Sequence, residues 1–246
     1  MGVVIMPRPP VELYRFEEST AGDTTGVNGT VLVATGPPTI NTSGKHGRCR
    51  TYTRASGQSF SLAAASATAY NPSGSGFTVA AWVKHATLST NEFCIAGKTG
   101  LGAADRGWQF YRRGAANGPY RMAVSTAGTA ATLITAEDVT NYPTTGVWYF
   151  VAGGVDLVRG YVFLRVNDYA RNEVAYSIKT VAASPRDFNV GSYNDAATSR
   201  WDGQIDSLYY FDYPLTDHEI DWLYDGGRGT DYLPVTLSTA AATVIS

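Results

Sequence analysis

Carboxylates are the first place to look for chemistry in this chain, because 21 Asp and Glu residues stand against 3 His and 2 Cys. A retaining glycosidase needs two carboxyl groups about 5–5.5 Å apart across the bond it cleaves. Side chains two apart share a strand face, so the expected spelling is Glu-x-Asp-x-(x)-Glu, and it is absent. The nearest carboxylate pair on a predicted strand, Asp202 and Asp206, lies about 13 Å apart along one face, too far for a nucleophile and an acid to act together. The run His218-Glu219-Ile220-Asp221-Trp222 begins like a zinc-protease helix but has Trp222 where the second imidazole must stand. Ala96-Gly97-Lys98-Thr99 ends like a phosphate-binding loop, yet Glu92 takes the place of its first glycine. No Gly-x-Ser-x-Gly elbow occurs, and the three histidines, at 46, 85 and 218, are scattered. The chain is expected not to be an enzyme.

Binding chemistry has more to work with. Tyr209, Tyr210, Phe211, Tyr213, Trp222 and Tyr224 form an aromatic run in which sugars could stack, although alternation sends about half of such a set into the core. Tyr209 and Tyr213, with Trp201 just upstream, are the candidate ligand-binding side chains.

The elements that must position these residues are mostly strands. The stretch 201–211 alternates, with Ile205, Leu208 and Tyr210 suited to a half-buried strand and Gly203 allowing another backbone to come close. Tyr213-Pro214 stops it. Thr216 then stands as a helix cap with Glu219 three residues on, Leu215 and Ile220 flank that box as a hydrophobic staple, and Gly226-Gly227 closes the short helix. Upstream, 77–84 puts Phe77, Val79, Ala81 and Val83 on one face and Trp82 on the other, which marks an inner strand. Shorter strands are expected at 11–16, 31–33, 48–53, 58–62, 93–98, 108–112, 120–125, 148–155, 160–166 and 174–178, with glycine-rich turns spacing 93–125 as a meander.

A chain of 246 residues can bury a large core as one sandwich, and Gly 26, Tyr 16 and Phe 9 against 16% charged residues favour strands and turns over helices. With a net charge of -2 and scattered Lys and Arg, neither nucleic acid nor an anionic membrane is an expected partner. Cys49 and Cys94 are expected as buried thiols rather than a bridge. The apolar patch near the start is three residues long, against the ~7–15 of a secretory leader, and no run approaches the ~20 residues of a membrane span. The expectation is synthesis in a cytoplasm without classical export, which leaves the sequons at Asn28 and Asn41 without weight. The domain reading is an N-terminal arm at 1–10, one sandwich at 11–229 and a tail at 230–246. For the arm and tail, contact with a neighbouring copy and packing on the chain's own sandwich stand as even alternatives.

Read as WDGQIDSLYYFDYPLTDHEIDWLY, the closing stretch resembles the last strand and helix of laminin G-like (concanavalin A-like) domains. FTVAAWVK and the FEES…AGDTTGVNGT opening resemble that family's inner strand and first loop. The Arg165-Val166-Asn167-Asp168 stretch keeps its Asn but not its following Gly. This likeness implies an all-β, antiparallel two-sheet jelly-roll sandwich with one short C-terminal-region helix. By resemblance it also implies a structural calcium ion held by Asp206, Asn28 and Asp23, with Glu17 a weaker ligand; the alternative has Asp206 accepting backbone amides. For function it implies a structural or binding protein, first a capsid decoration or tail accessory protein of a tailed-phage virion that contacts capsid or tail proteins and copies of itself. A carbohydrate-binding module is the alternative, and a glycoside hydrolase of the same fold ranks third.

Overall fold

The structure is a computed structural model that describes residues 6–115, 118–177, 179–193 and 199–232. Among the described residues sixteen strands run in chain order: β1 (Glu12–Tyr14), β2 (Thr24–Thr25), β3 (Val31–Thr35), β4 (Thr39–Asn41), β5 (Cys49–Tyr52), β6 (Ser59–Leu62), β7 (Gly76–His85) and β8 (Phe93–Thr99), then β9 (Arg106–Arg112), β10 (Tyr120–Ser125), β11 (Leu133–Glu137), β12 (Trp148–Asp156), β13 (Tyr161–Val166), β14 (Asn172–Ala175), β15 (Phe188–Val190) and β16 (Gly203–Phe211). The one α-helix among the described residues is α1 (Asp217–Tyr224). The strands form two antiparallel sheets. The first has the order β14-β13-β12-β7-β16-β5-β4 with β1 also paired to β16, and the second has β11-β10-β9-β8-β15-β6-β3-β2.

Between the sheets lies one aromatic core. Phe77, Val79, Ala81 and Val83 of β7 meet Trp108 and Phe110 of β9, Phe60 of β6 and Phe188 of β15. The opposite face of β7 is also covered: Ala80 and Trp82, with Phe150, Phe163, Tyr209 and Phe211, pack under Ile220 and Leu223 of α1. The inner-strand expectation for this run therefore holds on both faces. Each of these helix side chains removes enough apolar surface from water to stabilise by roughly 1.5–3 kcal/mol.

β16 departs from the half-buried reading, since all nine of its residues are buried. Ile205 and Leu208 both point into the core although three apart, which a regular strand cannot do. A bulge between Asp206 and Tyr209, with Ser207 at φ 48°, resets the alternation there. It falls where pairing to β5 ends at Ile205 and pairing to β1 begins at Leu208. Gly203 behaves as its residue type requires: at φ 138° a Cβ would lie 2.8 Å from Ala86 N and 3.0 Å from His85 Cα.

Thr216 and Glu219 form the expected capping box, but Asp225, not glycine, takes the first left-handed position at the helix end. Asn167 itself turns left-handed at φ 49°, and its Oδ1 accepts from Phe150 N–H at 2.9 Å, so the family's glycine at 168 is not needed for this turn. Both cysteines are free and buried. Pro7 and Pro10 are buried, Arg8 stacks 3.9 Å over the Tyr213 ring, and Tyr232 is buried against Trp222. The described parts of arm and tail thus pack on the chain's own sandwich; residues 1–5 and 233–246 lie outside the described residues.

Candidate functional site

Asp206 is fully buried at the β16 bulge. Its Oδ2 accepts from the Lys45 and His46 backbone N–H groups at 2.7 and 2.9 Å, and its Oδ1 accepts from the Ser207 hydroxyl at 3.1 Å. That hydroxyl is in turn 3.0 Å from His46 Nδ1. Burial pushes the Asp206 carboxyl up to about 7, against the lowering effect of these three donors, and nearby Glu17 adds to the rise. Glu17 accepts from Arg48 N–H at 3.0 Å, so it and Asp206 grip the same turn, 44–48.

The other two expected calcium ligands are elsewhere. Asp23 accepts from Ala34 N–H at 2.8 Å on the β2–β3 hairpin, and Asn28 donates through Nδ2 to the carbonyls of Pro10 and Val11. The early loop is organised by Glu12, which sequence reasoning passed over. It is fully buried and accepts from Asn28 N–H at 2.8 Å and Thr30 N–H at 3.1 Å. Among the described residues, no group of three or more His, Cys, Asp or Glu side chains is placed to hold a metal. The four residues do not fit a shared calcium cage, because backbone amides already occupy the carboxylates and an amide nitrogen faces the carbonyls.

The three candidate stacking aromatics need the same correction. Trp201 and Tyr209 are 0% and 1% exposed and Tyr213 is 7% exposed. Trp201 packs 4.4 Å from the His85 ring inside the sandwich. Tyr209 and Tyr213 belong to the layer between the first sheet and α1. Core burial took all three: Trp201 lies in the core between the sheets, and Tyr209 and Tyr213 are covered by the α1 layer. Nor do Asp202 and Asp206 act on a common bond: Asp202 accepts from Arg54 N–H at 3.3 Å and Thr87 Oγ1 at 2.6 Å, outside β16.

The outer side of the second sheet carries a polar groove of about 340 Å³ lined by Thr35, Ser59, Ser61, Arg186, Asp187 and Asn189 together with Pro185; Ser59 and Asn189 form its floor at 7% and 8% exposure, and Thr35, Arg186 and Asp187 are exposed at its rim. In β6, Phe60 and Leu62 point into the core, so Ser59 and Ser61 must point out; in β15, Phe188 and Val190 do the same for Asn189. Asn189 pairs in register with Ser61 on one side and with Gly97 on the other, and Ser59 pairs with Thr35. Asn189 Nδ2 is held by the Asp187 carbonyl at 3.0 Å, Asp187 Oδ1 accepts from Ala64 N–H at 2.8 Å, and Arg186 is paired with Asp105 at 2.6 Å. The alternation Ser-Phe-Ser-Leu was the available signal for this groove. An arrangement of fixed hydroxyl, amide and carboxylate groups can exchange hydrogen bonds with a polyhydroxylated ligand.

The two stacked antiparallel sheets define a concanavalin A-like sandwich. A laminin G family model, described as the concanavalin A-like lectin/glucanases superfamily, matches residues 55–221, and the chain belongs to that family. Comparison with curated protein sequences gives no match. Among solved structures, the chain is similar to domain 4 of AbnA, a GH43 extracellular arabinanase from Geobacillus stearothermophilus in complex with arabinotriose. The TM-score is 0.57 at 16% identity, covering 90% of this chain and 98% of that one. The receptor binding domain of botulinum neurotoxin D gives a TM-score of 0.63 at 13% identity, covering 89% and 52%. Trypanosoma rangeli sialidase gives 0.61 at 14% identity, covering 92% and 35%. The chain thus spans about half of the toxin domain and about a third of the sialidase. At these identities the likeness is one of fold.

Proposed function

We propose that this chain is a non-enzymatic binding module that holds a glycan in the groove formed by β3, β6 and β15. The observation that carries the reading is the outward row of Ser61 and Asn189, with Ser59, Thr35 and Asp187 around it, on strands whose inward residues Phe60, Leu62, Phe188 and Val190 belong to the core. The arabinotriose complex of the AbnA domain, a protein matched over nearly its full length, adds support. So does the employment of Asp202 and Asp206 as acceptors for the chain's own donors, which leaves that pair unsuited to glycosidic chemistry. Asn189→Ala is expected to lower glycan affinity about tenfold, the effect of one hydrogen-bonding group of roughly 1.4 kcal/mol. Ser61→Trp, which fills the groove from an outward position, is expected to abolish binding with the melting temperature preserved. A glycan array on which the unmodified protein binds nothing at millimolar ligand contradicts the reading.

A second reading concerns where the module works. We propose a tailed-phage particle, as a capsid decoration or tail accessory protein made in the host cytoplasm and in contact with capsid or tail proteins and its own copies. What favours it is the free edge of the first sheet: in β14, Glu173, Val174 and Ala175 are exposed, and such an edge can pair with a neighbouring chain. Mass spectrometry of purified particles tests it, and absence of the chain from them ends it.

A further inference from the structure

The groove's charges select among glycans. We infer, on the footing of the glycan-binding reading, that the groove takes uncharged oligosaccharides and turns away those bearing carboxylates, with Asp187 as the specificity-determining residue. Among the described residues two cations come near the groove, and both are engaged. Arg186 donates through Nε to Asp105 Oδ2 at 2.8 Å and pairs through its terminal nitrogen with the same oxygen at 2.6 Å. Asp105 is 6% exposed, so this pair is anchored from beneath and leaves little positive field above it. Lys98 is 1% exposed and donates to the Arg186 carbonyl at 2.5 Å, with Asp187 as its nearby counter-charge.

The exposed carboxylate of the groove is Asp187, beside the Arg186 guanidinium that is 46% exposed and already paired with Asp105. Its hydrogen bonding among the described residues uses Oδ1 alone, on Ala64 N–H. Its other oxygen can accept from sugar hydroxyls, and a carboxylate acceptor binds a hydroxyl more strongly than a neutral one. The same charge repels a sugar carboxylate brought within reach, and among the described residues the cations beside it, Arg186 and Lys98, are already engaged. The remaining lining, Thr35, Ser59, Ser61 and Asn189, is neutral and suits hydroxyls. No aromatic ring lines the groove, so discrimination rests on hydrogen bonding and charge rather than stacking.

The test compares matched probes by calorimetry at 0.15 M salt: galactotriose with trigalacturonate, mannotriose with trimannuronate, and lactose with 3′-sialyllactose. The expected result is at least tenfold tighter binding of the uncharged member in every pair that binds. In Asp187→Asn, which keeps the shape and an acceptor, that preference is expected to shrink to within about twofold. Equal or tighter binding of a charged member by the unmodified protein overturns the inference while leaving the glycan-binding reading standing, as does a preference that Asp187→Asn leaves unchanged. Absence of binding to all six probes, and to a broader glycan array, overturns both.

Discussion

At the scale of single residues, two buried titratable side chains act on stability in opposite directions. Asp206, raised to about 7 by burial, holds its proton more tightly in the folded chain than in the unfolded one, where a carboxyl titrates near ~4. Its contribution is therefore fully present below about pH 4 and is lost as pH rises through 7. His85 is the reverse case. Burial, with a smaller effect from Arg112, lowers it to about 3. Its neutral ring sits 3.0 Å from the Tyr120 hydroxyl and packs on Trp201. Its contribution is present above the unfolded value of about 6.5 and is lost as pH falls toward 3. Between pH 4 and 6.5 the two slopes oppose, each at most ~1.4 kcal/mol per pH unit. Asp206→Asn is nearly isosteric, and its carbonyl can still accept from Lys45 and His46. It is expected to leave a melting temperature that rises with pH across that window, whereas His85→Gln leaves one that falls. Slopes unchanged from the parent protein in both variants would rule out these two groups as the source of the pH dependence.

At the scale of elements, α1 is a lid on the first sheet, and its start is fixed by side-chain hydrogen bonds. Thr216 Oγ1 accepts from Glu219 N–H at 3.3 Å, and Glu219 Oε2 accepts from Thr216 N–H at 2.8 Å. Thr216→Ala removes half of this exchange and is expected to cost about 1 kcal/mol in urea unfolding, with glycan affinity unchanged because the groove lies on the other sheet. This helix was legible in the sequence because a capping box is local: four residues specify it. The inner strand β7 was legible for the same kind of reason, with apolar residues at every position from Val79 to Val83 and so on both faces. The bulge in β16 was not. Ile205, Leu208 and Tyr210 suit a half-buried strand, but the extra residue that puts Ile205 and Leu208 on the same face shows only in the register with β7, more than a hundred residues away in sequence. Tyr209 and Tyr213 failed as candidates because α1 packs on their face of the sheet, and Trp201 because it lies between the two sheets. Asn189 and Ser61 went unread as a site because each looks like an ordinary outward strand residue. Their adjacency exists only in the β6–β15 register.

At the scale of the whole molecule, the two outer faces are unlike. One is sealed by α1 and the described ends of arm and tail, and the other carries the polar groove. The early loop and the turn at 44–48 are held by protein carboxylates: Glu12 on the backbone of 28–30, Glu18 on Arg50 at 2.9 Å and Asp206 on the backbone of 45–46. This internal bracing stands where the family resemblance implied an ion. The melting temperature is accordingly expected to be the same with EDTA as with millimolar calcium; a chelator-induced fall of several degrees would show that an ion binds the folded chain.

The most direct test of the groove is a titration of the isotope-labelled protein with arabinotriose and galactotriose, followed by amide chemical shifts. The account predicts that the largest changes fall on Ser59, Ser61, Asp187 and Asn189, with Thr35 and Gly97 beside them. Changes concentrated at residues 23–28, 44–48 and 206, or along α1, would place binding on the other side of the sandwich and contradict it.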